Sequence, residues 1–277
     1  MANSLSKLQI MEYYLTPQDK QILRILKDTK CLFTYHIRRV CFTDSATPQA
    51  AARATNRHLK KLRDLGLVDS LVNRRIGGVR AGSASYIWYL TEQGNRLLNL
   101  DTKYSNEKPK RTRFHEPADN TLCHQMAIAE FWVQLVELGY KLEDFTLEEA
   151  EFEPANWRYY QYGSKSEILK PDLLVALSHH QTDYRWFIEI DLGTEAITTI
   201  INKCIRYHKY LQSGIEQQTY GVFPAVLWIV KDEARKQKLE KAIRRELKTE
   251  INIFIIATAD ELESIITAEH LPADRLI

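Results

Sequence analysis

Hydrophobic and polar positions follow two different periods along the first hundred residues. Apolar residues first recur every three to four positions, as in helices with one buried face. The Thr-Pro steps at 16–17 and 47–48 each combine an N-cap with a proline suited to the first helical turn. β-Branched and aromatic runs then favour strands. The predicted elements are helices from 16, over 34–40 and over 47–66, strands at 67–72 and 86–90, and a helix from 91.

The rest of the chain alternates helical periodicity with short apolar runs. The run Ala225–Val230 has no polar alternation, so it predicts a strand that is buried on both faces. Helices interleaved with strands in this way predict an α/β (α+β) fold, in which helices flank a sheet. The predicted elements are a helix at 120–138, strands at 148–152, 172–177 and 186–191, a helix at 195–211, a strand at 225–230, a helix at 232–248 and a strand at 251–256.

Three acidic residues interrupt two of these apolar runs. Asp172 opens one run, and Glu189 and Asp191 lie in the next. A carboxylate inside a buried strand is costly unless it is paired or holds a cation. Adjacent strands would bring Asp172 and Glu189 together, and carboxylate oxygens suit a hard cation. The sequence therefore predicts a Mg²⁺ (or Mn²⁺) site formed by Asp172, Glu189 and Asp191.

The helix predicted at 47–66 has two contrasting faces. One face carries small and apolar residues, and the other carries polar residues that suit the major groove of DNA. This predicted DNA-reading face consists of Arg53, Asn56, Arg57 and Lys60. The Gly/Ser/Arg segment between the two predicted strands adds a basic hairpin tip, of a kind that contacts phosphates. Its basic residues are Arg74, Arg75 and Arg80.

These elements, taken in order, resemble winged-helix DNA-binding domains over about residues 15–100. The resemblance is carried by the Leu65-Gly66-Leu67 step and by the closing motif Tyr-x-Leu-Thr-x-x-Gly at 89–94. It implies binding to double-stranded DNA, and the alternative is a winged helix that contacts protein. The predicted domains are a winged-helix domain at 1–100, a basic linker at 101–119 and an α/β domain at 120–277.

Charge is distributed unevenly between the two ends of the chain. Residues 1–113 hold 21 Lys and Arg against 9 Asp and Glu, a formal net charge of +12, whereas residues 114–277 hold 17 against 27, or −10. The basic part fits a polyanionic partner. There is no apolar run of about 18 residues and no secretion signal, which predicts a cytoplasmic protein without a membrane span. The four widely spaced cysteines predict reduced core thiols.

The second part resembles the PD-(D/E)xK (restriction-endonuclease-like) core over about residues 120–256, which implies a mixed sheet flanked by helices. Asp172 matches the first acid of that family and Glu189 the second. The family's lysine, two residues after the second acid, is replaced here by Asp191. In some branches the lysine moves to the following helix, where Lys203 is the candidate. The alternative for Lys203 is a side chain that passes the edge of the core to reach water.

The whole arrangement resembles the replication-relaxation family of plasmid and conjugative-element proteins. That family combines a winged helix with a nuclease-like domain bearing PD, then E-x-D-x-G-T-E, then K-x-x-x-Y. The corresponding segments here lie at 170–172, 189–195 and 203–207. The resemblance implies nicking that relaxes supercoiled plasmid DNA, or control of replication and transfer. Its implied partners are double-stranded DNA, other plasmid replication or transfer proteins, and a second copy of the chain.

Two functional hypotheses follow. In the first, the chain is a Mg²⁺-dependent DNA nickase with Asp172, Glu189, Asp191 and Lys203 as its catalytic residues. In the second, the nuclease-like domain is inactive and the chain is a DNA-binding regulator or accessory factor, because Asp191 replaces the lysine. Two further residues have open roles. Glu130 is either plain helix surface or an extra metal ligand, and Tyr207 is either a packed side chain or a nucleophile.

Overall fold

The computed structural model describes residues 8, 10–71, 85–100, 117–247 and 253–268, in two units that comprise Met1–Glu137 and Leu138–Ile277. The predicted tip arginines Arg74, Arg75 and Arg80 lie outside the described residues, as does most of the predicted linker. The domain boundaries at 100 and 119 therefore stay a prediction, and so does the wing.

Three of the four helices described for the first unit begin at a threonine cap, as the sequence predicts. Thr16 accepts a hydrogen bond from the backbone N–H of Asp19 at 3.2 Å, and Asp19 accepts one in return from the N–H of Thr16 at 2.9 Å. Thr47 likewise accepts from the N–H of Ala50 at 3.1 Å. The helices are α1 (Pro17–Thr29), α2 (Thr34–Cys41), α3 (Pro48–Asp64) and α4 (Glu92–Leu98).

A small antiparallel sheet accompanies these helices. Its strands are β1 (Cys31–Phe33), β2 (Val68–Ser70) and β3 (Ile87–Leu90), in the order β1-β3-β2. The sequence did not predict β1, because three residues are too few to show a period. Gly94 follows β3, and a Cβ atom there would lie 2.2 Å from the carbonyl oxygen of Leu67. The glycine of the closing motif Tyr-x-Leu-Thr-x-x-Gly is therefore required by backbone packing.

The second unit contains a five-stranded mixed sheet flanked by helices, which confirms the α/β fold class. The strands are β4 (Phe145–Phe152), β7 (Leu173–His179), β8 (Thr182–Asp191), β9 (Ala225–Val230) and β10 (Phe254–Thr258). Their order is β10-β9-β8-β7-β4, with antiparallel pairing from β4 to β8 and parallel pairing from β8 to β10. Its continuous apolar run makes β9 buried over nearly its whole length, as predicted.

Five helices of the described residues follow α4 in the sequence. They are α5 (Asp119–Lys141), α6 (Ile197–Ser213), α7 (Ile215–Tyr220), α8 (Glu233–Leu247) and α9 (Leu262–Ile266), and a 3₁₀ turn at Ala259–Glu261 precedes α9. Buried aromatic residues of β8, α6, β9 and β10 form the core on one side of the sheet: Phe187, Tyr207, Tyr210, Trp228 and Phe254.

A separate two-stranded hairpin, which the sequence did not predict, lies in the chain between β4 and β7. It consists of β5 (Arg158–Tyr162) and β6 (Lys165–Leu169). Most of its residues are exposed, so neither strand shows the apolar run that marks a buried strand.

All four cysteines are free thiols, and Cys31, Cys41 and Cys204 are buried. Burial raises the pKa of both Cys31 and Cys41 to about 12, which suits inert core thiols. No helix within the described residues is long and apolar enough to cross a membrane.

Candidate functional site

Two acidic residues of neighbouring strands meet at one end of the β7–β8 pair. Asp172 directly precedes β7, and its backbone N–H donates to the carbonyl of Ile188 at 3.2 Å. Its carboxylate accepts from the backbone N–H of Ile190 at 2.8 Å. These two bonds hold Asp172 against β8, beside Glu189. The sheet register thus brings together the two carboxyl groups that the sequence proposed as a pair.

Helix α6 supplies two donors to Glu189. Lys203 and Tyr207 are four residues apart and therefore share one face of the helix. The ammonium of Lys203 donates to one oxygen of Glu189 and lies 3.7 Å from Asp172. The hydroxyl of Tyr207 donates to the other oxygen of Glu189 at 2.5 Å. We call Asp172, Glu189, Lys203 and Tyr207 the carboxylate–lysine cluster. The sequence left two alternatives for Lys203, and in the structure its side chain reaches the acids.

The electrostatics of this cluster depend on burial and on the two acids. Burial raises the pKa of Glu189 to about 8; Lys203 opposes the rise and repulsion from Asp172 adds to it. Burial alone would lower the pKa of Lys203, but Glu189 and Asp172 raise it, so the lysine stays charged. The two directions are compatible, because the Asp172 carboxylate still faces the ammonium when Glu189 takes up a proton. Glu189 can therefore exchange a proton close to neutral pH.

Asp191 is committed to different partners. Its side chain is 1% exposed, and one oxygen accepts from Arg235 Nε of α8 at 2.6 Å. The other oxygen accepts from the backbone N–H of Gly193 at 2.8 Å. Arg235 also donates to the carbonyl of Glu195 at 2.7 Å. Asp191 and Arg235 together hold the turn between β8 and α6.

Gly193 explains another part of the E-x-D-x-G-T-E motif. Its φ is +79°, in the left-handed region that favours glycine. A Cβ atom there would also lie 2.6 Å from the side chain of Lys231. Asp191 and Gly193 of this motif are therefore both explained by the local structure of the turn.

The carboxylate–lysine cluster contains two of the three residues predicted to hold a metal ion, Asp172 and Glu189. Among the described residues, no group of three or more His, Cys, Asp or Glu side chains is arranged to hold a metal. Asp172 and Glu189 do converge on one point, and the charged ammonium of Lys203 lies there. Mg²⁺ is commonly held by one or two carboxylates together with water or phosphate oxygens, so these two acids fit it chemically. Such an ion would have to displace Lys203.

Tyr207 and Glu130 can now be assigned. The packed alternative for Tyr207 is confirmed, because its side chain is fully buried and burial raises its pKa well above the usual value. Glu130 of α5 is not plain helix surface, because three donors reach its carboxylate. It accepts from Arg39 at 2.7 and 2.8 Å and from the buried His36 at 3.0 Å.

These contacts outweigh burial and lower the pKa of Glu130 to about 2. The backbone N–H of Phe33 donates to Nδ1 of His36 at 3.4 Å, so the other ring nitrogen carries the proton that reaches Glu130. Arg39 also binds Glu137. The sequence contained no signal for this network, since its members lie about a hundred residues apart.

The polar face of α3 lies at the surface of the first unit. Arg53, Asn56, Arg57 and Lys60 are all exposed, whereas the opposite face, with Ala51, Thr55, Leu59 and Leu62, is buried. Lys60 pairs with Asp64 one turn later at 2.5 Å. Within the described residues, the predicted DNA-reading side chains therefore share one solvent-facing surface, which we call the α3 face.

Comparison with known proteins adds one match. A family model described as replication-relaxation matches residues 23–226, which is well over half of the chain and includes both the α3 face and the carboxylate–lysine cluster. No curated protein and no solved structure was found to match.

Proposed function

The chain belongs to the replication-relaxation family, and we propose that it binds duplex DNA of plasmids or mobile elements and nicks it in a metal-dependent reaction. Membership indicates a role in replication or relaxation of such DNA. The nicking activity is our inference from one observation. Two carboxylates and a charged lysine converge at the end of neighbouring strands, which is the chemical composition of a PD-(D/E)xK nuclease centre.

The chemistry assigned to each residue follows from its contacts. Asp172 and Glu189 would hold a Mg²⁺ or Mn²⁺ ion, which when bound activates water and stabilises charge on the scissile phosphate. Lys203, released from the acids, would place its positive charge beside the phosphate oxygens. Tyr207 keeps Glu189 oriented through its hydrogen bond. We exclude Asp191 from the ligand set, because Arg235, whose side chain is only 12% exposed, would then lose its carboxylate partner at a large cost in stability.

DNA binding is assigned to the first unit. The α3 face presents two arginines, an asparagine and a lysine to solvent at the spacing of a recognition helix. We interpret this unit as a winged helix. Residues 1–113 also carry a formal charge of +12, so phosphate contacts would release counterions and binding would fall steeply with salt.

A second candidate function is supported by the same cluster. Both oxygens of Glu189 already have donors from the chain, and Lys203 also lies close to Asp172. A cluster satisfied in this way can be purely structural, in which case the chain is a DNA-binding regulator or accessory factor. The two functions differ in whether a divalent cation interacts with the protein at all.

The decisive experiment incubates supercoiled plasmid with the purified chain and Mg²⁺, Mn²⁺ or EDTA. We expect open-circular product with the metals and none with EDTA. Asp172→Asn should lower the nicking rate by more than about 100-fold, because a direct ligand matters more than the surrounding shell. The asparagine oxygen can still accept from the N–H of Ile190, so the variant should fold and bind DNA.

A matched control is Asp183→Asn. Asp183 is an exposed acid at the other end of β8, and its replacement should leave nicking unchanged. If the wild type never nicks plasmid, and if neither Mg²⁺ nor Mn²⁺ raises its melting temperature, the nickase proposal is wrong and the regulator replaces it.

A further inference from the structure

A basic and aromatic strip is formed by the β5–β6 hairpin and by α6, the helix that also carries Lys203 and Tyr207 of the carboxylate–lysine cluster. We define this strip by Tyr162, Arg206 and Lys209. Asp172 follows the end of β6 at Leu169 after a link of two residues, so hairpin and cluster are adjacent in the chain. On the premise of the proposed function, we infer that the strip binds an unpaired DNA strand next to the phosphate that is cleaved.

The helical part of the strip extends from the cluster itself. Lys203, Arg206 and Lys209 follow one another at intervals of three residues along α6, so they lie on neighbouring turns. Six residues of α-helix rise by about 9 Å, so the cations of α6 are spread along the helix axis. Arg206 is exposed, and Lys209 is half-buried. The three cations therefore lie on successive turns of the helix, and each step of three residues turns by about 60° around the axis, so Lys209 lies about 120° around the helix from Lys203.

The hairpin adds an aromatic surface to these cations. Lys209 lies over the ring of Tyr162, with its nitrogen 4.8 Å from the ring centre, and the Tyr162 side chain remains 43% exposed. Tyr160, on the same side of the strand, is buried and donates to the carbonyl of Arg206 at 3.4 Å, which anchors the hairpin to α6. An exposed ring beside cations suits an unpaired base, because any base can stack on it.

The strip is basic, whereas the unit that carries it has a net negative charge. The second unit, residues 138–277, holds 17 Lys and Arg against 23 Asp and Glu, a formal charge of −6, so a polyanion would need a local basic surface to approach it. Glu167 of the hairpin pairs with Lys209 of the strip at 3.3 Å. A partly exposed pair of this kind contributes little stability, and a phosphate can replace the carboxylate. Stacking on Tyr162 further requires a base that is not paired, which favours a single strand over a duplex.

The test measures fluorescence anisotropy of a labelled oligothymidine of about 12 nucleotides with the full-length protein, in EDTA so that no metal-dependent cleavage occurs. Arg206→Ala/Lys209→Ala should weaken binding about tenfold at low salt. It should also lower the slope of log K against log salt by about 1.4, at 0.7 for each lost single-strand phosphate contact. The control Lys241→Ala/Arg244→Ala removes the same two residue types from the exposed surface of α8 and should leave both quantities unchanged.

A second pair of variants tests stacking. Tyr162→Ala should weaken binding of the oligonucleotide by at least about fivefold. Tyr159→Ala removes an exposed tyrosine from the opposite face of the same strand, because residues three apart in a strand point to opposite sides. It should leave binding unchanged.

The inference is overturned if strip and control variants bind the single strand equally, or if the strip variants lose duplex binding only. Its failure is distinguishable from failure of the proposed function. If the wild type nicks plasmid but the strip variants bind the single strand normally, only the inference about the strip is wrong. If the wild type never nicks plasmid but the strip variants lose single-strand binding, the proposed nickase activity is wrong and the inference about the strip is supported.

Discussion

The α3 face and the carboxylate–lysine cluster both consist of charged residues, but the protein treats their charges in opposite ways. Arg53 and Arg57 are exposed on α3, where water solvates them and a DNA groove can reach them. Glu189 is 1% exposed, and the lysine and tyrosine of α6 bond both of its oxygens. Exposed charges are therefore available to a partner at once, whereas a cation that enters the cluster must compete with Lys203.

This difference has an energetic consequence. Replacing an exposed charge usually changes stability by no more than about 0.5 kcal/mol. Removing one member of a buried pair leaves the other charge desolvated and costs about 3–5 kcal/mol. Substitutions that leave a buried charge without its partner should therefore affect folding and function together, whereas Asp172→Asn, which keeps its hydrogen bond to Ile190, should affect function only. Substitutions on the α3 face should affect DNA binding alone.

The largest effect is expected from Asp191→Ala. The variant leaves Arg235 nearly buried without its carboxylate, and we expect the free energy of unfolding to fall by about 3–5 kcal/mol in a urea titration. Asp191→Leu/Arg235→Met, which removes both charges, should recover much of this loss. If Asp191→Ala costs no more than the exposed Asp183→Asn, then Asp191 is not a structural anchor and its predicted role as a ligand regains support.

Glu189→Gln should change how stability depends on pH. Because the pKa of Glu189 is raised from 4.5 to about 8 in the folded chain, its contribution to stability is present below pH 4.5 and is lost as the pH rises to about 8. Thermal unfolding across this range should show that decline in the wild type and a flatter profile in Glu189→Gln.

Tyr207→Phe is the companion variant. It keeps the acid but removes a hydrogen bond that lowers the pKa of Glu189. The decline of stability with rising pH should therefore extend to higher pH in this variant than in the wild type. Identical profiles for all three proteins would show that Glu189 does not titrate in this window.

Arg57→Ala should weaken specific DNA binding by about 1–3 kcal/mol if Arg57 contacts a base. Its effect on the free energy of unfolding should stay within about 0.5 kcal/mol, because the side chain is exposed. Arg24→Ala removes an exposed arginine from α1 of the same unit and serves as the control in a gel-shift titration. Equal losses in the two variants would mean that the charge of the unit, and not the α3 face, determines binding.

The smallest effect is expected from Asp64→Asn. It breaks the exposed pair with Lys60 and should cost at most about 0.5 kcal/mol of stability. The lysine is then free for a phosphate, which should steepen the slope of log K against log salt by about 0.9 for duplex DNA. An unchanged slope, measured by the same gel-shift titration at several salt concentrations, would place Lys60 away from the DNA.

Features that depend on neighbouring residues were predictable from the sequence. The caps at Thr16 and Thr47, the two faces of α3 and the bounds of β9 each depend on residues a few positions apart, and the structure confirms all of them. The α/β order of helices and strands belongs to the same class, because period and turn residues are local. Strand β1 and the β5–β6 hairpin were missed, since one is too short and the other too polar to show a period.

The partners of the buried charges were decided by tertiary structure alone. The sequence identified Asp172, Glu189 and Asp191 as carboxylates in strands, but it could not show that Arg235, 44 residues away, would take Asp191 out of the cluster. Lys203 reaches Glu189 only because α6 docks on the sheet in one register, and a shift of one residue in β8 would turn that acid to the other face. A buried charge must have a partner, and which partner it finds depends on distances that arise only when strands and helices pack.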